Sequence, residues 1–408
     1  DALVQHAGEM EKVLAQKERH FLGLKEKVVL YDLTNTYLTG FGGKSTRATR
    51  GYSKQKRHDC PLLTLALVLD EDGFPKASRV FPGNVSEPGT LEEMLEKLPL
   101  QWHGQRSLPL TTPTVVMDAG IATEANVKMI RDHGYHYLCV ERTRPKQRED
   151  EDLIMISEKR GRRVCAKRIE SGEEVLLYCE SDGRKQKEAA MRTRFQQRFE
   201  YGLKAVAASL KKKGGTKKYG KVMERIGRLR QKYPTIAQYY RISVTRDGEI
   251  ATDIQWDVEE KEKMELRFSG SYYLRTDRGD LDEKELWSLY VMLTQVEDTF
   301  RSMKSELGLR PVFHQKDRRM EGHLFISVLA YHLVAYIQKQ LHSAGMRYRW
   351  KTIREGMSTQ VRITAAMTNA EGKRIHVRQT TEPEPFHLGV HGAMGLPTKP
   401  MRTKHFRY

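Results

Sequence analysis

Apolar residues over positions 279–308 recur at three- and four-residue steps, which is the period of an amphipathic helix. The residues of this stripe are Leu286, Leu289, Tyr290, Leu293, Val296, Phe300, Met303 and Leu307. Asp280, with Glu283 three residues later, predicts the start of the helix, and Gly308 followed by Pro311 predicts its end. The pattern therefore predicts one continuous helix with a single buried face.

Two charged residues lie on the same stripe. Tyr290, Glu297 and Lys304 follow one another at seven-residue steps, which drift by only about 20° per step around a helix. The pattern thus predicts a carboxylate and an ammonium that point toward the core. Burying an ionised group is costly unless a charge, hydrogen bonds or a metal compensate it. At this stage an ion pair of Glu297 with Arg301 or Lys304 explains the acid as well as a functional site does.

The first 140 residues alternate short apolar runs with helical patterns, as α/β proteins do. Predicted strands cover 27–38, 61–69, 75–81, 114–118 and 135–140, and predicted helices cover 5–24, 91–98 and 123–133. The second and third strands are expected to form a hairpin across a turn at 70–73. The order strand, helix, strand after position 114 predicts a parallel pair, in which a residue just past a strand lies at the rim of the sheet.

From 141 to 268 the pattern changes to hairpin-like strands around a basic helical middle. These strands are predicted at 163–169, 175–180, 241–244 and 254–258. Between 184 and 232 there are 17 Lys and Arg against 3 Glu, and Gly214-Gly215 divides the region into two helices. Such a concentration favours a DNA backbone as partner over an ordinary solvated surface. Beyond it, the sequence predicts a strand at 272–276, a buried helix at 321–341, and a hairpin of 361–368 with 373–379.

The composition limits the class of protein. The 408-residue chain has 71 Lys and Arg against 53 Asp and Glu, a formal charge of +18, which points to a polyanionic partner such as nucleic acid. Its four cysteines show no metal-binding spacing, which indicates a reducing, cytoplasmic location. The longest apolar stretch, 322–337, is interpreted as a buried helix that is too short to span a bilayer. Because the chain begins at Asp1 without a methionine, we expect that an N-terminal piece is missing.

Three acids stand out by their positions. Asp32 lies inside an apolar strand, Asp118 ends another strand, and Glu297 lies on the stripe of the late helix. Carboxylate oxygens are the ligands that Mg²⁺ prefers, and two ions roughly 3.5–4 Å apart can activate an attacking oxygen and stabilise a leaving one. We therefore interpret the three acids as a divalent-metal cluster. The basic loop at 40–58 is interpreted as a surface loop rather than a phosphate cradle.

Three segments carry a resemblance to a known family. They are YDLTNTYLTG, VVMDAGIATEANVKMI, and YVMLTQVEDTFRSMKSELGLRPVFH followed by GHLFISVLAYHL. Together they resemble the DDE transposases of bacterial insertion sequences, and more narrowly the cut-and-paste, hairpin-forming superfamily with a Tyr, Arg, Glu, Lys signature around its third acid. The resemblance covers most of the chain, over 28–341. It implies an α/β fold with an RNase H-like mixed sheet flanked by helices, interrupted by a basic insertion domain before the last catalytic helix.

The organisation that this resemblance implies has five parts. An N-terminal helical segment at 1–26 precedes the RNase H-like catalytic core, which is formed by 27–140 and 269–345. The basic insertion domain at 141–268 separates the two parts of the core. A basic C-terminal region follows at 346–408.

The resemblance also assigns the catalytic acids. Asp32 and Asp118 match the two aspartates of the family, and Glu297 matches its glutamate. These three residues are the expected ligands of two Mg²⁺ ions, with Mn²⁺ as a substitute. No organic cofactor is implied.

Residues around the third acid are expected to position DNA phosphates. Tyr290 and Lys304 match the tyrosine and lysine of the signature. Leu293 stands where the family has arginine, which removes one inherited phosphate contact. Arg301, one turn beyond the glutamate, is the nearest residue that could supply a comparable charge.

The insertion domain is the expected DNA-binding surface. The residues chosen for this role are Lys211, Lys212, Lys213, Lys217, Lys218, Arg225 and Arg228. In relatives, a tryptophan of the insertion can stack on a flipped base. Trp256 is the nearest match, although a core position is the favoured interpretation of this residue.

The function expected from these observations is DNA transposition. The enzyme would cleave the ends of an insertion sequence and join the freed 3′-hydroxyl to target DNA, acting as a homodimer on double-stranded DNA in a bacterial or archaeal cytoplasm. An RNase H-fold nuclease or resolvase without strand transfer remains an alternative. So does a catalytically inactive DNA-binding descendant, although the intact acids argue against it. No membrane partner is expected.

Overall fold

The computed structural model describes residues 2–25, 27–40, 42–51, 57, 59–98, 112–142, 152–258, 269–368, 370–398 and 404–407. The chain forms two compact units. Unit 1 consists of Asp1–Cys139 and Ser288–Tyr408, and unit 2 consists of Val140–Trp287. All of the predicted catalytic acids belong to unit 1.

A mixed sheet forms the centre of unit 1. Its strands are β1 (Val28–Tyr37), β2 (Leu62–Leu69), β3 (Pro75–Pro82), β4 (Thr114–Met117) and β5 (His136–Val140). They lie in the order β3-β2-β1-β4-β5, with β1, β2 and β3 antiparallel and β1, β4 and β5 parallel. This is the strand order of the RNase H-like fold. It confirms the predicted fold class, the hairpin and the parallel pair.

Helices of unit 1 begin before the sheet and continue between its strands. They are α1 (Ala2–Gln5), α2 (Ala7–Leu22), a 3₁₀ turn (Glu87–Thr90), α3 (Leu91–Lys97) and α4 (Glu124–Asp132). Thr123 caps α4 as predicted, because its side chain accepts a hydrogen bond from the Asn126 backbone N–H. The buried side chains of α3 and α4 form one cluster with alternate residues of β1, which covers one face of the sheet.

Unit 2 combines an antiparallel sheet with helices. Its elements are β6 (Ile154–Lys159), β7 (Arg162–Ser171), β8 (Glu174–Ser181), α5 (Asp182–Lys211), α6 (Tyr219–Lys232), α7 (Pro234–Ala237), β9 (Tyr240–Asp247), β10 (Ile250–Val258) and β11 (Ser271–Thr276). Strands β6, β7, β8 and β11 are consecutive antiparallel neighbours, and β9 pairs with β10. The sequence analysis missed β6, whose side chains are mostly exposed and show no apolar alternation.

The late helix is divided, which corrects the prediction of one continuous helix. It consists of α8 (Glu283–Val291) and α9 (Leu293–Ser305). At the junction, Gln295 N–H bonds to the Met292 carbonyl at 2.8 Å, a tight 3₁₀-type turn. The Thr294 hydroxyl also donates to the Val291 carbonyl at 2.7 Å and so competes with the helical ladder.

The start of α8 also differs from the prediction. Asp282 and Glu285 form the reciprocal cap, with the Glu285 N–H donating to Asp282 Oδ1 at 2.7 Å and the Asp282 N–H donating to Glu285 Oε2 at 3.0 Å. Asp280 instead accepts two hydrogen bonds from Arg278, each of 2.7 Å. The cap therefore lies two residues later than predicted. Asp280 does not cap the helix, because its carboxylate is bound by Arg278.

The predicted buried helix is α10 (Asp317–Ser343). At 27 residues it is long and apolar enough to cross a membrane by length and composition, so the expectation that it is too short was wrong. Half of its most apolar window is buried within the protein. Its buried residues include His332, whose Nδ1 lies 2.5 Å from the Glu18 carboxylate, so one face of the helix packs in the core.

The C-terminal elements of unit 1 follow α10. They are α11 (Trp350–Met357), β12 (Arg362–Thr368), β13 (Arg374–Thr380), α12 (Pro385–Ala393) and β14 (Lys404–Arg407). The predicted β12-β13 hairpin is present, and β14 adds an unpredicted third strand. Leu341, Ile353 and Val390 form a small core between α10, α11 and α12.

Candidate active site

The parallel pairing of β1 and β4 places the two predicted catalytic aspartates side by side. The last paired residues of this ladder are Tyr31 and Met117. Asp32 and Asp118 occupy the next position on the two chains. Neighbouring strands lie roughly 4.7–4.9 Å apart, and residues in register point to the same face. The register therefore brings these two carboxylates together.

Both carboxylates are oriented by the backbone. Asp32 Oδ1 accepts a hydrogen bond from the Leu33 N–H at 2.7 Å, and Asp118 Oδ1 accepts one from the Ala119 N–H at 2.7 Å. Asp32 is half-buried within β1, whereas Asp118 is exposed just beyond β4. An aspartate is poorly suited to a buried strand, so the half-buried Asp32 within β1 is the less expected of the two positions.

Helix α9, which carries Glu297, packs against β1 on the face to which Asp32 points. Successive strand residues alternate between faces, so Asp32 and Thr36 lie on the same side of the sheet. The Thr36 hydroxyl donates to the carbonyl of Leu309, four residues after α9 ends, at 3.0 Å. Contacts between α9 and β1 agree with this placement. The third acid is thus carried on the same side of the sheet as the first.

The Glu297 side chain is exposed, which corrects the prediction that it points toward the core. The buried residues of α9 are Val296, Thr299, Phe300 and Met303. Because each residue turns a helix by about 100°, Glu297 lies on the flank of this face rather than at its centre. Among the described residues, Glu297 has no hydrogen-bond or ion-pair partner. It does not form the structural ion pair that the sequence left open.

The other residues of the signature lie on the same two helices. Tyr290 and Leu293 are half-buried, and the Lys304 ammonium lies 6.0 Å from the ring centroid of the buried Phe300. Arg301 is paired with Asp298 on the same helix, with both side chains about half exposed. Its guanidinium is therefore already engaged, unlike the Glu297 carboxylate.

Sequence reasoning missed a fourth carboxylate, Glu87, which lies beside Asp118. A Cβ placed on Gly120 would lie 3.3 Å from Glu87 Oε2 and 4.0 Å from Asp118 Oδ2. Burial raises the pKa of the Tyr31 phenol, and the charges of Asp32 and Glu87 raise it further. The available signal was an acid in the segment between β3 and α3, to which the sequence analysis assigned no role.

The 3₁₀ turn that carries Glu87 is fixed to the sheet. The Tyr31 hydroxyl and Thr90 Oγ1 share a hydrogen bond of 2.6 Å, and Thr90 Oγ1 donates to the Glu87 carbonyl at 2.6 Å. Asn126 Nδ2 bridges the Pro88 carbonyl at 2.9 Å and the Ile121 carbonyl at 2.8 Å. These bonds connect the turn to β1 and to the loop after Asp118.

The donor set of the site fits a hard divalent cation, since it consists of carboxylate oxygens. Within the part of the chain that the structure describes, no three Asp, Glu, His or Cys side chains are grouped closely enough to hold a metal ion. The structure thus brings Asp32 and Asp118 together and leaves Glu297 outside a three-ligand group. By themselves, the two aspartates provide two carboxylate ligands at a solvent-accessible edge of the sheet.

A family model for the transposase DDE domain matches residues 23–333 of the 408-residue chain. The chain belongs to the transposase DDE domain family. The matched range includes both strands that carry the aspartates and the helix that carries Glu297. Family membership confirms the recognition made from the three sequence motifs.

Among solved structures, this DDE transposase domain is similar to the piggyBac transposase in a cryo-EM structure of its synaptic complex with hairpin DNA. The two chains share 8% sequence identity with a TM-score of 0.38, and the match covers 81% of this chain and 51% of that chain. The present chain therefore spans about half the length of that transposase. A comparison with curated proteins gives no match.

The basic surface of the DDE transposase domain lies in unit 2, where α5 and α6 meet. Lys211, Lys212, Lys213, Lys217 and Lys218 are all exposed around the loop between these helices. None of the five has an acidic partner among the described residues. Their positive charge is therefore available to an external anion.

The two predicted arginines of this surface are engaged. Arg225 donates to the Ser209 hydroxyl at 3.0 Å, and Arg228 pairs with Glu224 one turn away on the same helix. Arg225 is also half-buried. These contacts distinguish both residues from the exposed lysines.

Trp256 packs against the core of unit 2. It lies on β10, is half-buried, and contacts the cluster formed by α5, α6 and the β9-β10 hairpin. This position matches the core interpretation that the sequence favoured. A base-stacking role for Trp256 stays a prediction.

Proposed function

We propose that this protein is a DNA transposase that cleaves the ends of an insertion sequence and transfers the freed 3′-hydroxyl to target DNA. The observation that supports this most strongly is the β1-β4 register, which places Asp32 beside Asp118 in a chain of the transposase DDE domain family. The carboxylate of Glu297 on α9, which is exposed and has no partner within the described part of the chain, is available as the third acid.

Asp32, Asp118 and Glu297 would hold two Mg²⁺ ions, with Mn²⁺ as a substitute. Bound there, such ions lower the pKa of a coordinated water or hydroxyl and stabilise the charge on the leaving oxygen. The backbone N–H groups of Leu33 and Ala119 hold the two aspartates in place. In the DNA-bound enzyme, Glu297 joins the aspartates from the adjacent helix.

Positive side chains would position the DNA. Lys304 and Tyr290 lie on the helix pair that carries Glu297 and would contact phosphates next to the cut. Arg301 would contact a phosphate only after its ion pair with Asp298 breaks. The exposed lysines between α5 and α6 would bind the backbone of the same duplex. Two element ends must meet, so the proposed active form is a homodimer on DNA.

A strand-transfer assay tests this proposal. Labelled insertion-sequence ends and target DNA are incubated with the full chain and Mg²⁺. Joined product supports the transposase, cleavage without joining indicates an RNase H-fold nuclease, and binding without cleavage indicates an inactive descendant. Glu297→Gln should abolish both steps, whereas Glu96→Gln, on an exposed face of α3, should leave them unchanged. Full cleavage by Glu297→Gln would refute the assignment of the third acid.

Removing two lysines of the basic surface is expected to weaken the salt dependence of DNA binding. Each phosphate contact contributes about 0.9 to the slope of log K against log salt, so Lys217→Ala/Lys218→Ala should reduce the slope by about 2. The change should be the same for different DNA sequences, because phosphates carry no sequence information.

Fluorescence anisotropy titrations from low to high salt measure this slope. Lys12→Ala/Lys17→Ala is a matched control, since it removes two exposed charges from α2 in unit 1. An unchanged slope for the Lys217→Ala/Lys218→Ala variant, or an equal reduction for the control, would show that these lysines do not contact phosphates.

A further inference from the structure

A cavity of about 420 Å³ lies in unit 1 between α9, the C-terminal part of α10 and residues 347–351. We call it the Arg347 pocket. It lies next to the candidate active site, because Arg301 lines it and follows Glu297 by one helical turn. Small-molecule sites have volumes of roughly 300–1,000 Å³. A DNA duplex, whose major groove alone is about 12 Å wide, does not fit into such a cavity.

The charges that line the Arg347 pocket do not cancel. The charged lining residues are Arg301, Arg347, Arg349, Lys351, Asp298 and Glu306. Both acids have partners, since Asp298 is paired with Arg301 and the Glu306 carboxylate forms an ion pair with Arg354 at 2.6 Å. Lys351 is also paired, with Glu355 at 3.7 Å, so the positive charge that is available to a ligand comes from Arg347 and Arg349.

Arg347 and Arg349 carry most of this available charge. Both side chains are exposed, and neither has an acidic partner in the described parts of the chain. His342 also lines the cavity, and partial burial and the nearby Arg347 lower its pKa, so the neutral imidazole is favoured. Guanidinium groups bind phosphate oxygens through paired N–H donors. A phosphate is the anion that suits two such arginines.

Two aromatic residues alternate with these cations. Tyr348 is 37% exposed, and its ring is tilted against Phe386 at 5.5 Å between centroids. Trp350 packs on the small C-terminal core, and its Nε1 is buried without an acceptor among the described residues. A buried donor of this kind is normally satisfied, so its position in the pocket lining points to a missing acceptor.

We propose that the Arg347 pocket binds an unpaired nucleotide of a DNA strand next to the site of cleavage. Arg347 and Arg349 hold its phosphate, Tyr348 presents an aromatic surface to its base, and Trp350 Nε1 donates to a base or phosphate oxygen. Alternating arginines and aromatic rings are the features of single-strand binding surfaces, where cations follow the backbone and rings stack on bases. The DNA strand as ligand rests on the proposed transposase function.

The test compares two DNA probes in buffer without divalent metal, so that no cleavage occurs. One probe is a blunt duplex, and the other is the same duplex with a short single-stranded tail. Arg347→Ala/Arg349→Ala should weaken binding of the tailed probe by about ten-fold or more relative to the blunt probe, since two phosphate contacts are lost. Lys12→Ala/Lys17→Ala should affect the two probes equally.

A second variant separates binding from folding. Trp350→Phe keeps an aromatic ring in the C-terminal core but removes the Nε1–H donor, so it should weaken tail binding by about five-fold with little change in melting temperature. Equal loss on both probes, no loss on either, or preferential binding of a free mononucleotide would overturn the proposal. If the wild-type chain binds the tail through these arginines but never cleaves DNA with Mg²⁺, the transposase proposal fails and the pocket assignment stands.

Discussion

Replacing Asp118 by asparagine is expected to lower the rate of Mg²⁺-dependent DNA cleavage by roughly 10³-fold or more. The substitution keeps the size of the side chain and an oxygen that can accept the Ala119 N–H. It removes the negative charge that holds a divalent cation, whose stabilisation of the transition state is worth several kcal/mol. A tenfold change in rate corresponds to about 1.36 kcal/mol. Single-turnover cleavage of a labelled element end measures the effect.

Asp132→Asn is the matched control for this experiment. Asp132 is an exposed aspartate at the end of α4, in the same unit and outside the site. Its replacement should change neither cleavage nor DNA binding. The Asp118→Asn variant should still bind DNA at low salt, because the lysines of unit 2 are unchanged. Cleavage within about three-fold of wild type would exclude Asp118 as a metal ligand.

Replacing Lys76 by methionine is expected to destabilise unit 1 by about 3–5 kcal/mol at pH 7.5. The Lys76 ammonium lies 3.0 Å from Asp70 Oδ2, and both side chains are only 1% exposed. Glu18 of α2 lies 4.0 Å from the same ammonium. Removing one member of a buried ion pair leaves the other charge without compensation, which has a cost of this size. Chemical denaturation monitored by circular dichroism measures the loss.

The destabilisation should depend on pH. Burial raises the pKa of Asp70 to about 6, although the Lys76 charge opposes this shift. Between about pH 4 and 6 the folded state keeps a proton on Asp70 that the unfolded state has released, so this group makes stability fall as pH rises. Without Lys76 the folded pKa rises further. Lys76→Met should therefore cost much less near pH 4 than at pH 7.5.

A double variant tests whether the uncompensated carboxylate is the cause. Asp70 Oδ1 accepts backbone hydrogen bonds from Phe74 at 2.8 Å and Asp72 at 3.0 Å, which asparagine can retain. Asp70→Asn/Lys76→Met should therefore recover most of the stability lost in Lys76→Met. A pH-independent loss that the second substitution does not recover would attribute the effect to packing of the lysine stem instead.

The sequence predicted the strands of unit 1 and the positions of two acids in them. Asp32 interrupts an apolar run and Asp118 ends one, and polar residues in such places are informative because a buried strand disfavours aspartate. Their side-by-side placement follows from β1-β4 register, which depends on pairing between residues that are far apart in the chain. Sequence periodicity alone does not specify that register.

The sequence pattern does not determine the orientation of the Glu297 side chain. A seven-residue repeat keeps Tyr290, Glu297 and Lys304 on one side of a helix, but it does not say whether that side is the centre or the flank of the buried face. The sequence also gives no sign of the helix break at Met292, because neither Gly nor Pro occurs there. A local competition between side-chain and backbone hydrogen bonds produces it.

Features built from separate segments were also missed. Glu87 lies next to Asp118 only because hydrogen bonds through Tyr31, Thr90 and Asn126 fix its turn to the sheet. The Arg347 pocket combines two helices with the segment after α10, so its cations were recognised only as a basic tail. Tertiary contacts, rather than local propensity, create both features.

The central claim is that Asp32, Asp118 and Glu297 together hold divalent ions against a DNA strand. The most direct measurement is anomalous X-ray diffraction from crystals of the full chain bound to a cleaved element end and Mn²⁺. Peaks within about 2.5 Å of carboxylate oxygens from all three residues are the expected result. Ordered Mn²⁺ on the DNA-bound protein with Glu297 remote from every ion, or with the ions held by other residues, would contradict it.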